Sequence, residues 1–288
     1  MRHLIKRLLL TPLTVFGFFI TAYSSLIGLI HQNLKYAWID EQFNKNNHQV
    51  REIIHLVGNL KPVKLRLYTP NWLCRFRAET FSSKEPETLK WIDDNDGVLF
   101  DIGANIGLYS IYHAKTKSQN VYSFEPSFFN LTLLSKNINS NDLQDKISII
   151  SNPLSDSIQF ANFKLASIDE GGALSAFGVD FDQNGNEIES IFSYKTIGYT
   201  LDLLFEHEIL TELPAMIKVD VDGIEHLILT GAKETLRNPM CKTVLIEIND
   251  NFSDQANEAK RILSECGFSL KEKYHQAGET YNQIWVKS

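Results

Sequence analysis

The sequence predicts an α/β fold, with a largely parallel sheet covered by helices on both faces. Short apolar runs recur after residue 97, and helical stretches separate several of them. This alternation is typical of parallel sheets, because a parallel strand pair needs a long crossover that is usually a helix. The runs cover residues 98–100, 121–124, 147–150, 215–219 and 243–248, and helices are predicted near residues 85–93, 106–117, 128–139, 224–236 and 254–266.

Length, cysteine content and charge exclude several classes of protein. The chain has 288 residues, of which 43% are hydrophobic, so it can bury a large core without covalent cross-links. The three cysteines are scattered and have no CxxC spacing, which argues against a disulfide framework and a zinc site. The net charge of −7 argues against general nucleic-acid binding.

Three segments are predicted along the chain. Residues 1–32 form a hydrophobic amino-terminal segment, residues 33–97 a helical and hairpin lead-in, and residues 98–288 the main domain with an insertion at 151–214. Within the lead-in, residues 31–60 are expected to be helical, and residues 63–81 to form a hairpin that turns at the Pro-Asn pair. Two closing strands are expected near residues 268–274 and 281–286, and the last could pair antiparallel either at the edge of the sheet or between earlier strands.

The amino-terminal segment leaves its relation to a membrane open. Residues 8–30 carry no charged side chain, and their length is close to the roughly 20 residues that cross a bilayer. Small and polar residues dilute the segment, however, so a helix lying on a membrane or packed on the domain fits equally well. The sequence predicts a hydrophobic helix here without deciding between these arrangements.

The stretch LFDIGANIGLYS, residues 99–110, predicts a nucleoside-binding turn after the first strand of the main domain. Gly103 and Gly107 do not form the dinucleotide fingerprint G-x-G-x-x-G, because Asn105 occupies the middle position. The Asp101 carboxylate would repel a pyrophosphate at the following helix and attract a positively charged ligand. S-adenosylmethionine carries an ammonium and a sulfonium, so it fits better. The glycines are expected to let the backbone approach this ligand closely.

The second strand of the main domain also ends in an acid, Glu125. A carboxylate at this position can accept hydrogen bonds from both ribose hydroxyls of an adenosine. Glu125 would serve a nicotinamide dinucleotide equally well. The combination with Asp101 and the G-x-x-x-G spacing favours an adenosyl ligand over a solvated turn.

A second cluster of acids follows the fourth apolar run, in MIKVDVDGIEHL. Lys218 lies within an apolar strand and needs a charged partner, which Asp220 or Glu247 could supply. Asp220 is the candidate general base, because a methyl acceptor must lose a proton. Asp222 and Glu225 are spaced like a helix N-cap and its third helical residue, so a capping box competes with a catalytic role. Two strand-end acids are too few to predict a metal.

These segments resemble the FkbM-type S-adenosylmethionine-dependent methyltransferases. The resemblance rests on DIGANIGLYS, SFEPSFFNLTLLSKNI, TLDLL, IKVDVDGIEHLILTGA and LIEI, in that order, within residues 63–286. It implies a Rossmann-like fold with a seven-stranded mixed sheet and O-methylation of a hydroxyl on a sugar, glycan or natural product. It also implies cofactor contacts from Asp101, Gly103, Ala104, Asn105 and Gly107 at the methionine end, Glu125 at the ribose and Asp156 near the adenine, with Asp220, Asp222 and Glu225 bordering the acceptor.

Two other functions compete with the methyltransferase hypothesis. A nicotinamide-dependent oxidoreductase would need the third glycine, and Asp101 opposes its pyrophosphate. A catalytically silent, membrane-tethered binding module would keep the fold without turnover. Because the methyl donor is made in the cytosol, we expect a cytoplasmic catalytic domain, with attachment to the membrane surface through residues 1–32 left open.

Overall fold

The computed structural model describes residues 50–58 and 61–287, together with thirteen residues of the amino-terminal segment. Those residues, 11, 12, 15, 17–23, 25, 26 and 29, are helical. The rest of the predicted hydrophobic segment, and the helix expected over residues 31–49, lie outside the described residues. Within the described part, no helix has both the length and the apolar character needed to cross a membrane. The chain divides into two compact units, Met1–Gln49 and Val50–Ser288.

A hairpin and a helix open the second unit. Strands β1 (Val50–Val57) and β2 (Lys61–Tyr68) pair antiparallel, and helix α1 (Trp72–Glu79) follows. The expectations of helix over residues 50–57 and of a strand after the Pro-Asn pair are therefore wrong. The pair starts a helix, because the Asn71 side chain accepts a hydrogen bond of 2.8 Å from the Cys74 amide and caps the helix.

The main sheet has seven strands and confirms the predicted mixed α/β architecture. The strands of the described chain after β2 are β3 (Leu99–Ile102), β4 (Val121–Phe124), β5 (Ile147–Ile150), β6 (Gln159–Leu165), β7 (Ser175–Phe177), β8 (Phe192–Gly198), β9 (Met216–Val219), β10 (Thr243–Asn249), β11 (Phe268–His275) and β12 (Thr280–Lys287). The order in the main sheet is β11-β12-β10-β9-β3-β4-β5, in which β12 is antiparallel to both of its neighbours. The pairs from β10 to β5 are all parallel.

Helices cover both faces of this sheet. Successive strand residues point to opposite faces, so Leu99 and Phe100 belong to two different buried apolar clusters, as do Met216 and Ile217. Both faces of the central strands are therefore core. The helices after α1 are α2 (Pro86–Asp94), α3 (Leu108–Lys117), α4 (Phe128–Ser140), α5 (Leu201–Glu206), α6 (Glu225–Thr230), α7 (Lys233–Arg237) and α8 (Ser253–Glu265).

The predicted insertion at residues 151–214 folds into a small sheet of its own. Strand β6 is central and pairs antiparallel with both β7 and β8, and helix α5 follows. The segment between β6 and β7 reaches the carboxyl ends of the central parallel strands. Ligands bind at this edge in open α/β sheets.

Candidate functional site

A cavity lies at the carboxyl ends of β3, β4, β9 and β10, where the polar side chains after each strand meet. Its walls contain more carboxylates than cations, which favours a ligand that carries positive charge. The lining carboxylates are Glu85, Glu125, Asp220, Asp222 and Glu247, and the lining cations are Arg77, Lys84 and Lys218.

The two glycines after β3 are required by contacts within the protein. Gly103 has φ +84°, and a Cβ added there would lie 1.9 Å from the carbonyl oxygen of Asp220. Gly107 has φ +87°, and its Cβ would lie 2.5 Å from Cδ1 of Leu134. The contacts that exclude a Cβ at both positions are therefore made within the protein, which the sequence did not predict. Gly103 and its successors Ala104 and Asn105 do line the cavity.

Asp101 lies beneath the cavity, outside its lining, and is 1% exposed. Its Oδ2 accepts a hydrogen bond of 2.6 Å from the Ser110 hydroxyl. Its Oδ1 is buried and has no hydrogen-bond partner among the residues that the structure describes. Burial raises the pKa of this carboxyl. Asp101 can therefore influence a ligand only indirectly, from beneath the turn, and not by direct contact in the cavity.

Glu125 occupies the end of β4 and lines the cavity. Its Oε2 accepts a hydrogen bond of 2.8 Å from the Asn105 amide, and its Oε1 one of 2.8 Å from the Ser127 amide. Burial raises its pKa to about 7. Two carboxylate oxygens have about four lone-pair sites, so acceptor capacity remains for ligand hydroxyls.

The loop at Gly171 and Gly172 is tied to the cavity wall by side chains that sequence reasoning missed. Arg77 donates two hydrogen bonds to the Gly171 carbonyl, at 2.9 and 3.1 Å. Asn130 accepts from the Gly171 amide at 2.9 Å and donates to the Gly172 carbonyl at 3.1 Å. The Asn105 side chain also donates to Gly172, at 2.8 Å. Asn105 therefore positions the loop through its side chain and Glu125 through its amide.

Lys218 and Asp220 form a buried ion pair at the end of β9, which confirms the predicted need for a partner. Lys218 Nζ lies 2.7 Å from Asp220 Oδ2, and Lys218 is 2% exposed. The ammonium also lies 5.3 Å from the centre of the Tyr109 ring. Burial acts to raise the pKa of Asp220, but the charge and hydrogen bond of Lys218 hold it below its ordinary value.

Glu85 and Tyr109 extend this polar wall from other parts of the chain. The Tyr109 hydroxyl donates to Glu85 Oε2 at 2.8 Å, and Lys84 Nζ lies 2.8 Å from Glu85 Oε1. Glu85 is only 6% exposed. The single sequence signal was an acid directly before the proline that starts α2.

Asp222 and Glu225 do not form the proposed capping pair. Asp222 has φ +62°, and its Oδ2 accepts from the amides of Leu174 and Ser175, at 2.7 and 3.2 Å. It therefore holds the insertion loop and lines the cavity, and burial raises its pKa to about 6. Glu225 begins α6, and its carboxylate accepts from the Gly223 amide at 3.1 Å.

Glu225 is a buried carboxylate behind the cavity wall. It is 3% exposed, is not among the lining residues, and also accepts a hydrogen bond from Gln255. Burial raises its pKa to about 8. Its contacts stabilise the turn into α6. No contact between Glu225 and the cavity supports the predicted role at the acceptor.

A sequence model described as "Methyltransferase FkbM domain" matches residues 101–270, more than half of the chain. The chain belongs to the FkbM methyltransferase domain family. The matched region begins within β3, ends within β11 and contains every cavity-lining residue after α2. A comparison with curated proteins found no significant match.

Solved structures resemble this FkbM domain chain at low identity. An FkbM methyltransferase from Methylobacillus flagellatus KT is 14% identical, with a TM-score of 0.44, over 66% of this chain and 43% of the other. A magnesium protoporphyrin IX methyltransferase from Synechocystis PCC 6803, solved with bound SAM, is 10% identical, with a TM-score of 0.42, over 76% and 85%. A precorrin-6y C5,15-methyltransferase from Geobacter metallireducens GS-15 is 12% identical, with a TM-score of 0.42, over 71% and 87%. This chain spans less than half the length of the Methylobacillus protein.

Asp156, predicted to lie near the adenine, is exposed in this FkbM domain and is not among the cavity-lining residues. Its carboxylate accepts from the Ser155 and Ser157 hydroxyls, at 3.3 and 3.0 Å. The nearby lining residues are Asn152, Pro153 and Leu154. The position therefore favours Asn152 over Asp156 as the polar group at this end of the cavity.

Glu247, on β10, is the remaining carboxylate of the FkbM cavity. Its carboxylate makes no hydrogen bond or ion pair with any described residue. Burial raises its pKa, as do the charges of Asp220, Glu225 and Glu85, against the opposing charge of Lys218. Within the described part of the chain, no group of three or more potential ligands is arranged to hold a metal ion.

Proposed function

We propose that this FkbM domain protein is an S-adenosylmethionine-dependent methyltransferase that methylates a hydroxyl on a sugar, glycan or natural product. The observation that carries the proposal is the acidic cavity at the carboxyl ends of four neighbouring parallel strands. Family membership supports methyl transfer in general. A hydroxyl acceptor is supported by the carboxylates of the lining, because they can accept hydrogen bonds from hydroxyl groups.

The cavity residues fit S-adenosylmethionine better than a dinucleotide. Glu125 is fixed by two backbone amides and retains acceptor capacity for two ribose hydroxyls. The acidic lining and the Asp101 charge beneath the turn favour an ammonium and a sulfonium, and disfavour a pyrophosphate. When bound, this donor supplies a methyl group on a positively charged sulfur.

Other residues of the chain would orient the reactants. Gly103 to Asn105 would bind the methionine end through the backbone, and Asn152 would lie at the adenine end. The loop held by Arg77 and Asp222 would cover the bound molecules and limit access of water. The Lys218–Asp220 pair would present fixed charges to the acceptor hydroxyl.

Calorimetric titration of the full chain with S-adenosylmethionine and with NAD tests the cofactor. We expect micromolar binding of the first and none of the second. Formation of S-adenosylhomocysteine with a panel of methyl glycosides then tests the hydroxyl acceptor and separates an enzyme from a silent binding module. Binding of NAD alone would overturn the cofactor assignment, and binding without turnover on any glycoside would remove the proposed acceptor class.

A further inference from the structure

Two carboxylates on neighbouring strands, Asp220 after β9 and Glu247 in β10, are candidates for the group that takes the acceptor's proton. Asp220 is committed to another partner, because its Oδ2 lies 2.7 Å from Lys218 Nζ. A carboxylate whose charge is stabilised by an ammonium binds a proton weakly, which makes it a poor general base. Asp220 is therefore better suited to fixing Lys218 than to proton transfer.

Glu247 has the opposite surroundings. It lines the same cavity, but no described residue donates a hydrogen bond to it. The acidic groups that raise its pKa come from three elements: Asp220 after β9, Glu225 at the start of α6, and Glu85 before α2. Lys218 opposes them in part, but its nearest carboxylate is Asp220. Glu247 is thus the cavity carboxylate that is free to bind a proton.

We propose that Glu247, and not Asp220, takes the proton of the acceptor hydroxyl, with Asp220 and Lys218 as positioning residues. This inference rests on the proposed methyltransferase function. As the acceptor oxygen forms its bond to the methyl carbon, its proton passes to the Glu247 carboxylate. The electron pair of the broken carbon–sulfur bond stays on sulfur, which becomes neutral. The carboxylate and the sulfonium lose their opposite charges in the same step.

Donor binding should change the protonation of Glu247. In the free protein, burial and the neighbouring acidic groups raise the pKa of Glu247, which favours its protonated form. A bound sulfonium adds a positive charge to the cavity, so Glu247 loses its proton and becomes a base when the methyl donor is present. Proton release on binding therefore reports on Glu247 without any acceptor.

The experiment is calorimetric titration of the full chain at about pH 8, in phosphate and in Tris, whose ionisation enthalpies differ. S-adenosylmethionine is compared with S-adenosylhomocysteine, which has the same adenosine and amino acid but a neutral sulfur. Protons linked to Glu125 cancel in this comparison, because both ligands carry the same ribose. We expect S-adenosylmethionine to release about one proton more than S-adenosylhomocysteine.

Variants show which residue releases this proton. In Glu247→Gln, we expect both ligands still to bind and the difference in proton release between them to vanish. Asp156→Asn is the matched control: its carboxyl is exposed and lies outside the cavity lining, so the difference should remain. Glu225→Gln tests the competing source, whose pKa is about 8. The inference, but not the proposed function, would be overturned if both ligands released the same number of protons. It would also be overturned if the difference were lost in Glu225→Gln and kept in Glu247→Gln.

The rate of methyl transfer provides a second test of the role of Glu247. On the glycoside that the acceptor assay identifies, we expect Glu247→Gln to lower kcat by about 100-fold or more, with the KM for the donor little changed. Asp220→Asn should lower kcat less, because it weakens an orienting pair and leaves the base in place. A Glu247→Gln enzyme with unchanged kcat would contradict the proposal. Failure of S-adenosylmethionine to bind wild-type protein would instead overturn the proposed function and this inference with it.

Discussion

The carboxylates at the ends of β3 and β4 are held by different partners from those at the ends of β9 and β10. In the β3–β4 half, Glu125 accepts from two backbone amides and Asp101 from a buried serine. In the β9–β10 half, Asp220 pairs with the Lys218 side chain, and Glu247 has no described partner. One half is thus fixed by neutral donors, and the other depends on a balance of side-chain charges.

This difference matters for how each half can work. Backbone amides cannot change protonation or rotate away, so they hold a carboxylate in one geometry and suit the binding of a fixed cofactor. Charged side chains respond to every charge that enters or leaves the cavity. The β9–β10 half is therefore the part whose protonation can follow the reaction, and variants should separate the two halves.

The largest effect is expected where the halves touch. Gly103→Ala would place a Cβ 1.9 Å from the Asp220 carbonyl oxygen, at a backbone φ of +84°. Neither backbone can move without breaking the β3–β9 pairing, so we expect a loss of more than about 3 kcal/mol in the free energy of unfolding. Urea denaturation measures this loss.

Gly278→Ala is the matched control for steric contact. Gly278 also has a left-handed backbone, with φ +59°, but nothing lies within 4 Å of an added Cβ. We expect this control to lose about 1 kcal/mol, from backbone strain alone. Equal losses of unfolding free energy in the two variants would show that the contact between residue 103 and the Asp220 carbonyl tolerates a methyl group.

Removal of Lys218 should give the next largest effect. Lys218→Met leaves the Asp220 carboxylate without its ammonium, and because Asp220 is about a third exposed we expect a loss of about 2–3 kcal/mol. Lys164→Met breaks a surface pair with Asp180, which is 91% exposed, and should cost less than about 1 kcal/mol. Similar costs for both would argue that the buried pair contributes no more than a surface one.

The same variant should change how stability depends on pH. In the wild type the pKa of Asp220 is depressed, so its stabilising contribution is present above the pKa of the unfolded chain and is lost as pH falls through the folded value. In Lys218→Met, only the smaller effects of the Lys84 and Arg77 charges oppose burial, so we expect the pKa of Asp220 to rise and stability to fall as pH rises through it. The urea concentration at the midpoint of unfolding, measured between about pH 5 and pH 8, should therefore decrease as pH rises in the variant relative to the wild type.

Sequence reasoning succeeded where partners are local in the chain. The parallel strands, the turn after β3 and the pairing of Lys218 with Asp220, two residues away, all follow from short patterns. It failed where partners are distant. Glu85 meets Tyr109 across 24 residues, and Arg77 meets Gly171 across 94, and no periodicity carries such a contact. The steric need for a glycine at residue 103 could not be predicted either, because the Asp220 carbonyl that excludes a Cβ there follows a different strand.

The β3–β4 half is tested by Glu125→Gln, which places an amide group against two backbone N–H donors. We expect the affinity for S-adenosylmethionine to fall by about 10- to 100-fold. The proposed ribose hydroxyls would bind the ionised carboxylate, whose free pKa is about 7, so we expect binding to release a proton and affinity to rise as pH rises through that value. Calorimetry with S-adenosylhomocysteine should show the same rise, and the variant should lose it for both ligands.

The smallest expected effect decides which residue lies at the adenine end of the cavity. Asn152 lines the cavity, whereas Asp156 is exposed and bonded to its own neighbours, Ser155 and Ser157. Loss of one neutral hydrogen bond to a ligand costs about 0.5–1.5 kcal/mol, so Asn152→Ala should weaken donor binding by a few-fold to about tenfold. Asp156→Ala should leave the Kd for S-adenosylmethionine within about twofold of wild type, since the exposed carboxylate touches no part of the cavity. If Asp156→Ala has the larger effect, the segment after β5 must move when the donor binds, and the adenine contact first expected from the sequence would be restored.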